Sequence, residues 1–277
     1  MAEEGTSPSS GEFLRGLARA LAGATLFAFP LLMTMEMWWL GFYMDRDRLF
    51  LLLVFTLVLL FPLSYFVGFE RTGGRAEDLL DTLVAFGIGA IASAVMLAVF
   101  GIITLEMPAS EIIGKVAVQT VPASIGAIVA RGQLGSQSAD RQSRKKEAGF
   151  PGQLFIMMAG AVFLAFNVAP TEEMVLIAFK MSPLQAILLI LLSIAALHAF
   201  VYALDFSGTA EVPRGMGFTG LLVSRSIAGY GIALIVSLYV LWTFGRTDDA
   251  SLTQIAMMTT VLGFPAALGA AAARIII

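Results

Sequence analysis

Apolar runs of roughly 18 or more residues recur along this chain, separated by short polar breaks, and each is long enough to cross ~30 Å of hydrocarbon as a helix. The pattern predicts an all-α polytopic bundle with eight membrane spans, at about 17–43, 48–69, 79–104, 111–131, 151–179, 183–205, 216–244 and 252–274. A polar, acidic stretch, 1–16, precedes them and reads as a disordered tail rather than a cleaved signal peptide. A basic stretch at 132–150, with Arg141, Arg144, Lys145 and Lys146, reads as a solvated linker between two four-helix halves, 17–131 and 151–277.

The halves are predicted copies of one another. At an offset of 137, residues 22–44 align with 159–181 and share 10 of 23 positions, among them Gly23/Gly160, Thr34/Thr171 and Glu36/Glu173. At 144, residues 86–101 share 7 of 16 positions with 230–245, including Gly87/Gly231 and Gly101/Gly245. At 143, residues 122–131 share 6 of 10 with 265–274, including Gly126/Gly269. The change of offset puts a seven-residue insertion before the seventh span, where Gly208, Pro213 and Gly215 mark a loop. Four spans per copy is an even number, so the repeats are expected to be parallel, related by an axis along the membrane normal. Eleven Lys and Arg side chains fall on the side of the termini and five on the other, which predicts both termini in the cytoplasm.

Composition agrees with a membrane protein: 58% hydrophobic residues, 13% charged, and a mean hydropathy of +0.86 leave too little polar surface for a soluble chain of this length. Cysteine is absent, which excludes disulfides, thiolate metal sites and cysteine nucleophiles, and a single histidine, His198, excludes an all-histidine metal site within one chain. No cofactor and no nucleic-acid partner is indicated, and the absence of a nucleophile–base pair argues against an enzyme.

The candidate chemistry lies in two carboxylates. A glutamate within hydrocarbon is costly and tends to face a bundle interior or a water-filled path. Glu36, in Thr34-Met35-Glu36-Met37, recurs as Glu173 in Thr171-Glu172-Glu173-Met174. Pro30 and Pro170 precede them and predict a kink or break in each copy, with Ala169-Pro170-Thr171-Glu172-Glu173 reading as a fresh helix start. Arg19 to Glu36 is about 25 Å of helix, which puts the carboxylate in the outer half of the bilayer. Glu36 and Glu173, with the Thr34 and Thr171 hydroxyls, are therefore candidate ion-binding or selectivity residues. Glu172 has no acidic counterpart and reads equally as interior or as solvated at the interface. Trp38 and Trp39 read as an interfacial aromatic belt.

Asp81 and Arg225 align between the copies and are candidates for an ion pair joining the halves; separate snorkelling to headgroups is the alternative. His198 has no counterpart and reads as a packed, hydrogen-bonded residue before a proton relay. Asn167 and Gln119 are candidates either to line a path or to bond between helices. The glycines at 87, 89, 126, 229, 231 and 269 are expected to permit close helix packing.

The segment Met33-Thr34-Met35-Glu36-Met37-Trp38-Trp39-Leu40-Gly41 within an eight-span chain resembles a family of bacterial integral membrane proteins of unknown function. That resemblance implies a bacterial inner-membrane location and carries over no activity and no binding residue. From the residues themselves, the first function expected is a cation channel with a paired-glutamate constriction, identical subunits completing a ring as a homo-oligomer. Oxygen donors alone favour Ca²⁺, Na⁺ or K⁺ over soft metals. The second is a proton-coupled secondary transporter or cation exchanger using the same glutamates, and the third is a membrane assembly factor.

Overall fold

The computed structural model describes residues 10–67, 75–134, 150–206, 220 and 222–276. The 1–9 part of the tail, most of the predicted basic linker, and the loop with Gly208, Pro213 and Gly215 lie outside the described residues. The first half comprises α1 (Ser10–Leu32), α2 (Met35–Tyr43), α3 (Arg46–Val67), α4 (Arg75–Val99) and α5 (Ala109–Leu134). The second comprises α6 (Phe150–Val168), α7 (Glu172–Lys180), α8 (Pro183–Phe206), a π-helical turn (Leu222–Ile227) running into α9 (Ala228–Thr243), and α10 (Leu252–Ile276). Each half thus reads long helix, nine-residue helix, then three long helices.

Seven helices are individually long and apolar enough to cross a membrane, and α1 with α2 makes an eighth if that bent pair counts as one span. One expectation needs correcting here. Residues 10–16 are helical, belonging to α1 and not to a disordered tail. The break expected in the first span is present: the chain turns by 91° at residues 33–34, and α2 leaves at a right angle to α1. Pro30 remains inside α1, so the break comes three residues after the proline that predicts it. In the second half the break falls where expected, with α6 ending at Val168 and α7 starting at Glu172, directly past Pro170, whose ring nitrogen has no hydrogen to continue the ladder.

A bent span exposes backbone groups that lipid does not satisfy, and local donors take them up. Leu31 O accepts from the Thr34 amide at 3.2 Å, the Thr34 hydroxyl at 2.8 Å and Gln119 Nε2 at 3.1 Å. Trp38 Nε1 donates to Leu32 O at 2.9 Å. The second half repeats the innermost part of this arrangement, with the Thr171 amide and hydroxyl donating to Val168 O at 3.1 and 2.8 Å.

The last helix of each half is its hub. α5 packs against α1, α2, α3 and α4, and α10 packs against α6, α7, α8 and α9. Accordingly 78% of the α5 membrane window is buried, against 33% for α3 and 22% for α8, which present their surfaces outward. Small residues set the spacing: a β-carbon on Gly23 would land on Ala130 and the Gly126 carbonyl, and one on Gly160 on the Gly269 carbonyl and Ala273. Gly41 and Gly114 seat α2 on α5 in the same way. Gly87 and Gly231 have nothing within 4 Å of that position, so the close-packing role expected of them does not hold. The halves meet mainly through α3 with α9 and α6, and through α5 with α6.

Candidate functional site

The residues singled out by sequence collect near the end of the bundle that carries α2 and α7, with three exceptions described below. Glu36 is half-buried in the first turn of α2; Glu172 and Glu173 are exposed in the first turn of α7. Acidic side chains are favoured there by the amide groups of a helix start. Neither Glu36 nor Glu173 has a hydrogen-bond or ion-pair partner among the described residues, and no three His, Asp or Glu side chains come together there as a metal site. The Thr34 and Thr171 hydroxyls spend their protons on the backbone carbonyls already described, leaving oxygen lone pairs as acceptors.

Gln119, 1% exposed, ties α5 to the end of α1 through Leu31 O, while its own Oε1 has no partner. Asn167 bonds within its helix, Nδ2 donating to Phe163 O at 2.7 Å. The exceptions lie toward the other end or deeper. His198 is buried on α8, with Nδ1 2.9 Å from the Ser226 hydroxyl in the π-helical turn. Arg225, one residue earlier in that turn, is buried, and Asp81 on α4 is half-buried; both engage partners.

A cross-half ion pair that sequence reasoning missed is Arg48 with Asp248. Arg48 Nη1 and Nη2 donate to the two carboxylate oxygens at 2.9 and 2.8 Å. Nη1 also donates to Trp242 O at 2.9 Å, and the guanidinium lies 5.1 Å from the centre of the Trp242 ring. This joins the start of α3 to the loop between α9 and α10. Hydrogen bonding from Arg48 holds the Asp248 carboxyl below its ordinary range, against a smaller upward push from desolvation. Nothing in the repeat alignment pairs 48 with 248, so no sequence signal marks the contact.

Beside it, Arg246 reaches from the same loop to the carbonyl of Pro170 and closes the break between α6 and α7. The first half has a cavity at the corresponding place. About 700 Å³ in volume, it is walled by Leu32, Trp38, Trp39, Phe42 and Phe100, with Glu111 and Lys115 at its polar edge. Lys115 Nζ lies 2.6 Å from Glu111 Oε1, one helical turn away on α5, with the Lys side chain 9% exposed and the Glu 19%. Between the halves, Phe27 on α1 and Phe163 on α6 stack with ring centres 5.0 Å apart, beside a second cavity of about 340 Å³ lined by apolar groups such as Leu26, Ile125 and Leu164.

No curated protein and no solved structure matches the chain. A family model does: that of the integral membrane protein family DUF2391 matches residues 16–277, every span included. The number of apolar helices agrees with a match over almost the full length, and the chain belongs to the DUF2391 family of integral membrane proteins.

Proposed function

We propose that this protein is a secondary transporter that carries a cation across the bacterial inner membrane, with Glu36 and Glu173 as an acidic collar at the outer mouth. One observation carries the reading: in both halves a long helix ends at a short break, and a glutamate lies in the first turn of the nine-residue helix that follows. Such a carboxylate is a fixed negative charge with oxygen donors, placed where a hydrated cation first meets the bundle. The excess of Lys and Arg on the side of the termini supports a cytoplasmic position for both, with the collar outside. A carrier is favoured over an open pore by the seam between the halves, where Phe27, Phe163 and the apolar cavity offer an ion no polar lining. Motion of one half against the other around a central seam is how parallel-repeat carriers alternate access.

The second reading is a cation channel, favoured by the recurrence of the acid at equivalent breaks, as a ring of carboxylates in a homo-oligomer would require. Reconstituted protein distinguishes them. A carrier needs a counter-ion or proton gradient, whereas a channel passes current that reverses at the Nernst potential of its ion. Replacing Glu36 and Glu173 together by glutamine is expected to lower flux at least tenfold in either case. Flux equal to the parent's from that double variant refutes the role of the carboxylates.

A further inference from the structure

The two halves differ at the turn that follows α4 in one and α9 in the other: the second half fills the place with the Arg246 guanidinium, and the first half has a cavity with the Lys115 ammonium at its edge. The turn after α4 and the turn after α9 have the same backbone. Gly101 and Gly245 both take positive φ, 68° and 72°. Ile102 N bonds to Leu97 O and Arg246 N to Leu241 O, each at 2.9 Å. At the 144 offset these are matching atoms, so Ile102 and Arg246 start from the same position. In the second half the Arg246 guanidinium extends to the carbonyl of Pro170, and Phe244, 3% exposed, packs edge-on against Phe166 with ring centres 4.9 Å apart. In the first half Ile102 does not reach, Phe100 is 38% exposed, and the 700 Å³ cavity stands in the corresponding space, with Met33, the counterpart of Pro170, on its wall.

We infer that this first-half cavity binds a lipophilic organic cation, an amine, guanidinium or quaternary onium with an apolar body. Its wall is aromatic: Trp39, Phe42 and Phe100 are exposed rings whose faces attract cations and whose area suits an apolar substituent. At its polar edge Glu111 supplies a carboxylate with one oxygen on Lys115 and the other without a hydrogen-bond partner among the described residues. The volume is that of a site for a small organic molecule. Lys115 balances Glu111 while the cavity is empty, so its ammonium competes with the ligand's charge. In the second half Glu111, Lys115 and Trp39 are replaced by Gln254, Met258 and Leu176, so each half carries one cation of its own here: Arg246 in the second and, in the first, Lys115, whose Nζ lies 3.4 Å from Ile102 O. The inference names a substrate class for the proposed carrier, but binding is measurable whether or not transport occurs.

The test is equilibrium binding of radiolabelled tetraphenylphosphonium to the purified full chain in micelles, with 8-anilinonaphthalene-sulfonate as an anionic comparison. Saturable binding of the cation is expected, weakened at least tenfold by Glu111→Gln and by Trp39→Leu, and tightened several-fold by Lys115→Met. Ile102→Arg, which supplies the first half with the second half's guanidinium, is expected to abolish binding while the thermal midpoint stays near the parent's. Each replacement is the residue the other half already holds at that place, which limits the risk of misfolding. Failure of the parent to bind tetraphenylphosphonium overturns the inference. So does binding indifferent to Glu111→Gln and Ile102→Arg in folded protein, or preference for the anion with loss in Lys115→Met. The Glu36→Gln and Glu173→Gln variants are expected to leave this binding within a factor of about two of the parent's, since neither residue lines the cavity, so failure of the collar and failure of the cavity are read separately.

Discussion

Arg48 makes three interactions across the seam and Asp248 makes one, so the two partners of this ion pair should not be equivalent. The carboxylate side chain is 52% exposed and the guanidinium 21% exposed. A partly solvated bidentate pair of this kind contributes about 0.5–1 kcal/mol. Arg48 adds the bond to Trp242 O, about 1–1.5 kcal/mol, and the approach to the Trp242 ring, about 0.5–1 kcal/mol. Arg48→Met keeps most of the apolar stem and should lose about 2–3.5 kcal/mol; Asp248→Asn should lose about 0.5–1 kcal/mol. The coupling in the double-variant cycle should equal the smaller of these, since the carbonyl and ring contacts do not involve Asp248. Reversible denaturation of the full chain in mixed micelles, followed by tryptophan fluorescence, measures all four corners. Equal losses from the two single variants, or a coupling near zero, would refute the assignment of the seam contact to this arginine.

Four more outcomes follow from the structure. Because Arg48 depresses the Asp248 carboxyl, the pair's contribution is fully present above the ordinary aspartate range near 3.9 and is lost as pH falls through the lower folded-state value. Parent and Asp248→Asn stabilities should therefore differ at pH 7 and converge in strong acid; a constant difference contradicts the linkage. Gly23→Leu and Gly160→Leu should each cost about 3 kcal/mol or more or prevent folding, because the new side chain meets a facing helix backbone. Gly87→Ala and Gly231→Ala, with open space at both positions, should instead raise stability by about 0.5–1 kcal/mol, and a loss of that size would show a contact there. Trp38→Phe should destabilise by about 1–3 kcal/mol by stranding Leu32 O at the bend, read as faster amide exchange across α2.

The bend itself ties fold to site. A continuous first span would carry Glu36 along the bundle axis, whereas the 91° turn lays α2 across the end of α5 and sets its glutamate at the rim. The Thr34 hydroxyl, Gln119 and Trp38 take up the freed carbonyls, so a residue read from sequence as an ion-binding candidate and another read as path-lining or bonding between helices both help hold the corner in place. A bonding role for Gln119 does not preclude contact with an ion, since its Oε1 has no partner.

Much of this protein was determined locally and is legible residue by residue. Transfer of apolar side chains into lipid is a sum over a short window, so the spans at 183–205 and 252–274 are found within two residues as α8 and α10. Pro170 lacks an amide hydrogen wherever it sits, so the start of α7 at Glu172 is written in the chain. Tertiary structure decided what depends on two segments at once. The corner at residues 33–34 exists because Gly41 lets α2 settle on Gly114 of α5, a meeting between residues 73 positions apart. Gly23 and Gly87 are chemically alike, yet one faces a helix backbone and the other open space. Arg48 found Asp248, 200 residues away, because helix crossing and loop height bring charges together irrespective of repeat alignment. The same holds for the cavity beside Trp39: a missing guanidinium leaves a space, and sequence alone does not show what stands opposite it.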